Sequence, residues 1–221
     1  MIRLHKAEEP ESLKEGAADW TAEFLDAIAD GTDPSAVWSN RINAQIKLAL
    51  IAETSGKCAY CESKILHDQY GDIEHFFPKS LDPFRAFEWG NLTFACKICN
   101  TRKAARDPHA ANIIDPYDVN PENYLIFLGP LVTDNGSDLG RETQAKLGLN
   151  RPELCERRRE VLERLLLILS NALNATLSVE ARRAIYDDFL ENEVVDSVQF
   201  AAMARAALNV MRHQIEMQWA E

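Results

Sequence analysis

The sequence predicts a mostly α-helical protein built around one small, metal-organised module. Three observations carry that expectation. Two Cys-x-x-Cys pairs, Cys58–Cys61 and Cys96–Cys99, frame short aromatic-rich pieces punctuated by Pro and Gly. Segments with helical apolar spacing lie on both sides. At 221 residues and 46% hydrophobic content the chain can bury a real core, yet no apolar run reaches the roughly 18 residues of a bilayer span.

On the N-terminal side, Glu11 to Glu53 reads as two helices separated at Asp30–Pro34. Asp33 suits an N-cap and Pro34 the first helical position. Val37, Ile42, Ile46, Ala49 and Leu50 would form the packed stripe of the second helix, which Ser55–Gly56 ends. Residues 107–150 read as a connector with one strand at 124–132 and a short helix near 142–147. Beyond Asn150, helices are expected over 152–173, 179–192 and 195–219. Leu162, Leu165, Leu166 and Leu169 form one apolar stripe, and Val198, Ala201, Ala202, Ala206, Val210 and Met211 a second. Arg157, Arg158 and Arg159 alternate with glutamates at three- and four-residue spacing, as in a salt-bridged surface. The expected division is a helical flank (1–56), a catalytic module (57–106), a connector (107–150) and a helical region (151–221).

Met1–Pro10 has no secretion-signal pattern, so the expected compartment is the cytoplasm, with no membrane contact. Reduced thiols there favour metal binding over disulfides. Two paired spacings supply the four thiolates of a tetrahedral structural zinc site, closed to water and therefore architectural. Four separately buried cysteines, a redox dithiol or an iron–sulfur cluster are the alternatives. The fifth, Cys155, reads as a small helix-borne thiol.

Between the pairs stand Asp72–Ile73–Glu74–His75, then Asn91–Leu92, with Asn100 and Arg102–Lys103 after the last cysteine. In this order the stretch resembles the HNH endonuclease superfamily, whose ββα-metal (His-Me finger) fold binds one catalytic divalent cation. The resemblance implies that His75 is the general base. Glu74 and Asn100 are the implied ligands of Mg²⁺ or Mn²⁺, and Asn91 the residue that orients the histidine loop. Asp72, two residues from Glu74 on the same strand face, is a further candidate ligand. Many family sequences carry Asp where this chain has Glu74. Lys79, Lys97, Arg102, Lys103 and Arg106 are the candidate phosphate contacts. His5, His67, His109 and His213 read as packing or surface histidines.

Over a longer span, Ile73–Ser80, Ile114–Pro116, Pro121–Leu125 and Leu147–Leu154 resemble the PtuB-type nucleases of Septu and retron-associated anti-phage systems. That family implies an ABC-type ATPase partner of PtuA type and a DNA substrate, expected to be double-stranded. The net charge of −11 fits a nuclease that grips DNA weakly alone. A zinc-dependent binding module without catalysis, or an RNase using the same residues, are the competing readings.

Overall fold

Residues 1–65 and 70–217 are described by the computed structural model. The N-terminal side folds as α1 (Glu11–Ala29), α2 (Pro34–Arg41) and α3 (Ala44–Glu53). Asp33 caps α2 as expected, accepting from Ser35 N at 2.9 Å, with Pro34 in the first turn. The single helix expected beyond Pro34 is instead two. Asn43 turns extended and its Oδ1 accepts from Ile46 N at 3.1 Å, so a side-chain cap displaces helix continuation. Ser55 and Gly56, both at positive φ, lead the chain out of α3.

β1 (Asp72–His75) and β2 (Leu92–Ala95) pair antiparallel, with Asp72 opposite Ala95 and His75 opposite Leu92. The helix α4 (Lys97–Lys103) follows at once, completing a ββα unit. Gly71 admits the chain to β1, because φ is +61° and a Cβ there would stand 2.3 Å from the Phe94 ring. β2 is buried along its length, and Leu92 and Phe94 share a core with Phe24, Ile46, Leu50 and Phe87. Trp20 and Phe24 of α1 meet Phe87 edge-on, with centroids 5.6 and 6.1 Å apart. Burying such side chains is worth about 1.5–3 kcal/mol each. The N-terminal helices are therefore bound into the loop that joins β1 to β2.

The strand expected over 124–132 is a hairpin: β3 (Leu125–Leu128) and β4 (Leu131–Asp134) pair around Gly129–Pro130. Glycine at positive φ beside a proline ends a continuous strand. α5 (Asp138–Lys146) starts four residues before the expected 142, where Ser137 Oγ accepts from Gly140 N.

α6 (Pro152–Ala172) and α7 (Val179–Asn192) lie where the apolar spacing puts them. α8 (Ala201–Met217) begins later than the expected 195, after a turn in which Phe200 takes φ +59°. The last expected helical residues, 218 and 219, lie outside the described residues. Leu165 and Leu169 are buried as expected, but Leu166 is exposed. On α8 the buried residues are Ala201, Ala202, Met203, Ala204, Leu208 and Ile215, and Val210 is 80% exposed. Arg157 and Arg159 pair with Glu160 and Glu156 at the surface. Arg158 corrects the surface reading: it is buried, donating to Leu149 O at 2.7 Å and lying over the Phe127 and Phe200 rings. No described helix is long and apolar enough to cross a membrane.

Candidate metal and catalytic site

The four paired cysteines converge. Their Sγ atoms lie within 4.8 Å of one another, all four residues are buried, and Cys61 and Cys96 stand 3.9 Å apart. Zn–S bonds of about 2.3 Å in a tetrahedron require S···S separations of about 3.8 Å. The donor set therefore fits zinc. The first pair sits in a turn pinned to β2 by Ala59 N donating to Phe94 O at 2.9 Å. The second straddles the start of α4, where Cys96 Sγ accepts from Cys99 N at 3.4 Å. Cys155 is buried on α6 outside this cluster.

One neighbour of the cluster was invisible to motif reading. Arg151, the residue before α6, directs its guanidinium at three sulfurs, with contacts of 3.8 Å to Cys99, 3.7 Å to Cys61 and 3.9 Å to Cys96. Nothing in its local sequence separates it from a surface arginine.

The seam between β1 and α4 is polar. Asp72 and Glu74 project from the same face of β1 toward that helix, as their spacing predicts. Asn100 Nδ2 donates to Asp72 Oδ2 at 2.8 Å, leaving its own Oδ1 available. Lys103 Nζ lies 2.7 Å from Glu74 Oε1 and donates to His75 O at 2.9 Å. Glu74 Oε1 is buried and pairs with Lys103 Nζ across the strand–helix seam. Burial raises the Glu74 pKa to about 7, against the opposing Lys103 charge. The carboxylate and amide oxygens of Asp72, Glu74 and Asn100 are hard donors of the kind that suit a divalent cation such as Mg²⁺ or Mn²⁺.

His75, the last residue of β1, is buried with its Nε2 2.8 Å from Ala86 O. A carbonyl only accepts, so Nε2 carries the proton and the neutral ring keeps its lone pair on Nδ1. Burial, reinforced by the Lys79 charge, pushes its pKa down to about 3, which keeps the ring neutral at ordinary pH. The loop carrying Ala86 is fixed by Asn91, itself buried. Asn91 Nδ2 donates to Phe77 O at 2.9 Å and Arg85 O at 3.1 Å, while its Oδ1 accepts from Phe77 N at 2.7 Å. Trp38 of α2 covers the histidine, with ring centroids 4.4 Å apart. Packing or partner docking is all that the sequence suggests for the flanking helices, and Trp38 is a second site neighbour that the motif does not reveal.

The expected phosphate contacts divide. Lys97, Arg102 and Arg106 are exposed on or just beyond α4. Lys97 lies 3.8 Å from Asp72 Oδ2, and Arg106 donates to Lys103 O at 3.0 Å. The Arg102 guanidinium occupies space left by Gly148, where a Cβ would stand 2.7 Å from it. Lys79 is half-buried over the Trp38 ring, 4.7 Å from its centroid. Lys103 departs from the expectation: it is 1% exposed and faces Glu74, not solvent. His109 is exposed beside Phe76 and Phe77, and His67 lies outside the described residues.

Comparison with known proteins agrees with this geometry. A family model described as HNH endonuclease matches residues 58–106. The chain is 34% identical over 152 residues to a Septu protein PtuB of Bacillus thuringiensis, covering 68% of this chain and 55% of that protein. It is 28% identical over 139 residues to a Septu protein PtuB of Bacillus mycoides (strain KBAB4), covering 48% of this chain and 47% of that one. The chain thus spans about half the length of the curated relatives it matches. Residues 58–106 therefore form an HNH endonuclease domain, carried by a chain homologous to Septu protein PtuB.

Proposed function

We propose that this chain is a divalent-cation-dependent endonuclease that hydrolyses DNA phosphodiester bonds, with His75 as general base. The observation that supports this most is the setting of His75, whose Nε2–H is committed to Ala86 O and whose Nδ1 has no hydrogen-bond partner among the described residues. Nδ1 takes the proton from the attacking water, and the Ala86 bond fixes the ring plane while it does so. Asn91 acts one step back, holding the loop that carries Ala86. Glu74 and Asn100, with Asp72, would hold Mg²⁺ or Mn²⁺, which supplies charge neutralisation at the phosphate and the departing oxyanion. Lys103 balances Glu74 inside the strand–helix seam. Lys79, Lys97, Arg102 and Arg106 are the groups left to contact the nucleic-acid backbone. Cys58, Cys61, Cys96 and Cys99 hold a structural zinc in this reading.

The similarity to PtuB, together with the net charge of −11, supports an effector role in anti-phage defence beside an ABC-type ATPase of PtuA type. The partner would supply DNA affinity and the trigger, because an acidic protein attracts phosphate poorly by itself. Free thiolate ligands suit the cytoplasm. The division into flank (1–56), module (57–106), connector (107–150) and helical region (151–221) follows the same reading.

The test is cleavage of matched plasmid DNA and structured RNA, with and without the ATPase, in Mg²⁺ or Mn²⁺. Cation-dependent DNA nicking is expected, stimulated by the partner and lost by at least 10²–10⁴-fold in His75→Ala, the range general-base catalysis supplies. A His75→Ala protein that retains zinc and nicks at the wild-type rate refutes the catalytic assignment. Preferential RNA cleavage redirects the substrate, and partner-independent rates remove partner control.

A further inference from the structure

Arg151 stands in an unusual setting for a guanidinium. It is 9% exposed, and among the described residues no carboxylate pairs with it. Its polar partners are three cysteine sulfurs at 3.7–3.9 Å and the Gly148 carbonyl at 3.3 Å. A buried cation without an anionic partner is strongly disfavoured. The sulfurs are the groups able to provide that charge, and as thiolates around a divalent ion they carry it in excess. Four thiolates and one Zn²⁺ leave a net charge of two negative units in the interior. The planar fork of arginine spans several acceptors at once, which a point-like ammonium does not.

We propose that Arg151 is the outer-sphere counter-cation of the cysteine site, and that its N–H···S contacts set how firmly the metal is held. The inference rests on the zinc reading of the four cysteines. Hydrogen bonds to a thiolate stabilise its charged form, so protons compete less well with the metal for the sulfur. Because Arg151 immediately precedes α6, the same contacts tie the C-terminal helices to the metal site. Arg151 is thus a positioning and charge-balancing residue and takes no part in hydrolysis.

The experiment uses the full chain and three variants, R151L, R151K and R158L. Zinc content is measured by elemental analysis, zinc release by chelator competition, and the sulfur-to-metal charge-transfer bands after substitution with Co²⁺. Loss of the guanidinium is expected to weaken metal binding 10–100-fold, the range found for outer-shell partners. R151L should release zinc faster and shift the Co²⁺ bands to longer wavelength, since thiolates without these donors give up electron density more readily. R151K, with charge but no fork, should fall between. R158L removes a buried arginine that bonds backbone carbonyls and no sulfur. It should lower stability while leaving the Co²⁺ bands in place, which separates direct N–H···S contact from the packing and charge of a nearby buried arginine. If R151L does not fold, R151K carries the comparison through the same spectrum. Wild-type release rates and unmoved bands in R151L and R151K overturn the proposal. A wild-type chain without zinc overturns the zinc reading first, and the proposal with it.

Discussion

Replacing Asn91 by alanine gives the sharpest separation of folding from catalysis. The side chain is 1% exposed and makes three hydrogen bonds, all to the backbone of the loop between β1 and β2. Alanine leaves the Phe77 N–H and the Phe77 and Arg85 carbonyls without these partners. A buried group stripped of its partner costs about 1–3 kcal/mol, less where water can enter. The expected loss for Asn91→Ala is therefore about 3 kcal/mol, large but within the 5–15 kcal/mol of a typical domain. The loop also carries Ala86 O, the acceptor that holds His75 Nε2 at 2.8 Å. A histidine released from that bond presents Nδ1 in many directions, so nicking should fall by about 10²-fold or more. Urea denaturation and single-turnover plasmid nicking at saturating Mg²⁺ measure the two effects on one preparation. A wild-type urea midpoint refutes the hydrogen-bond reasoning. A folded Asn91→Ala protein that nicks at the wild-type rate refutes the orienting role.

Three further outcomes are expected. Cys58→Ser should lose bound zinc and most of its cooperative thermal transition, because structural zinc contributes on the order of 10 kcal/mol; elemental analysis and circular dichroism check this, and an unchanged transition would falsify the architectural assignment. Glu74 gives a pH dependence of known sign. Its pKa rises from 4.5 to about 7 on folding, so the folded state binds the proton more tightly and stability falls as pH rises through that window. The contribution is at most roughly 3 kcal/mol. Urea midpoints without added Mg²⁺ should show it as a wild-type-minus-E74Q difference, and a difference flat from pH 5 to 7 rules it out. Trp38→Ala should expose the His75 ring and raise its pKa from about 3 toward the ordinary value of about 6.5. An NMR titration of the ring that is unmoved by the substitution contradicts this.

What was legible in the sequence was what short spacing encodes. The cysteine pairs, Glu74–His75, Asn91 and Asn100 lie in one short stretch, where local order constrains where side chains point. Helix ends marked by Asp33–Pro34, Ser55–Gly56 and Pro152 were legible for the same reason. Other features depend on distant contacts. Arg158 looks like its two neighbours until the Leu149 carbonyl and the Phe200 ring enclose it. Lys103 looks like a phosphate ligand until β1 brings Glu74 to it. The break at Asn43 and the turn at Gly129–Pro130 had sequence signals, a capping side chain and a Gly–Pro step, that the apolar pattern overrode. Trp38 and Arg151 left no such signal, because each acts on a group far along the chain.

Those last two contacts bear on whether the short module is portable. A segment cut out at Cys58 and Arg106 would carry every residue of the motif and still be incomplete. Its histidine would lose the indole that roofs it, and its sulfurs the guanidinium beside them. Grafting the motif into another scaffold would have to rebuild both, one supplied from each side of the excised piece. In this chain the cassette and its surroundings form one packed unit, and a swap that moves one without the other should yield a domain that holds its metal loosely and aims its base poorly.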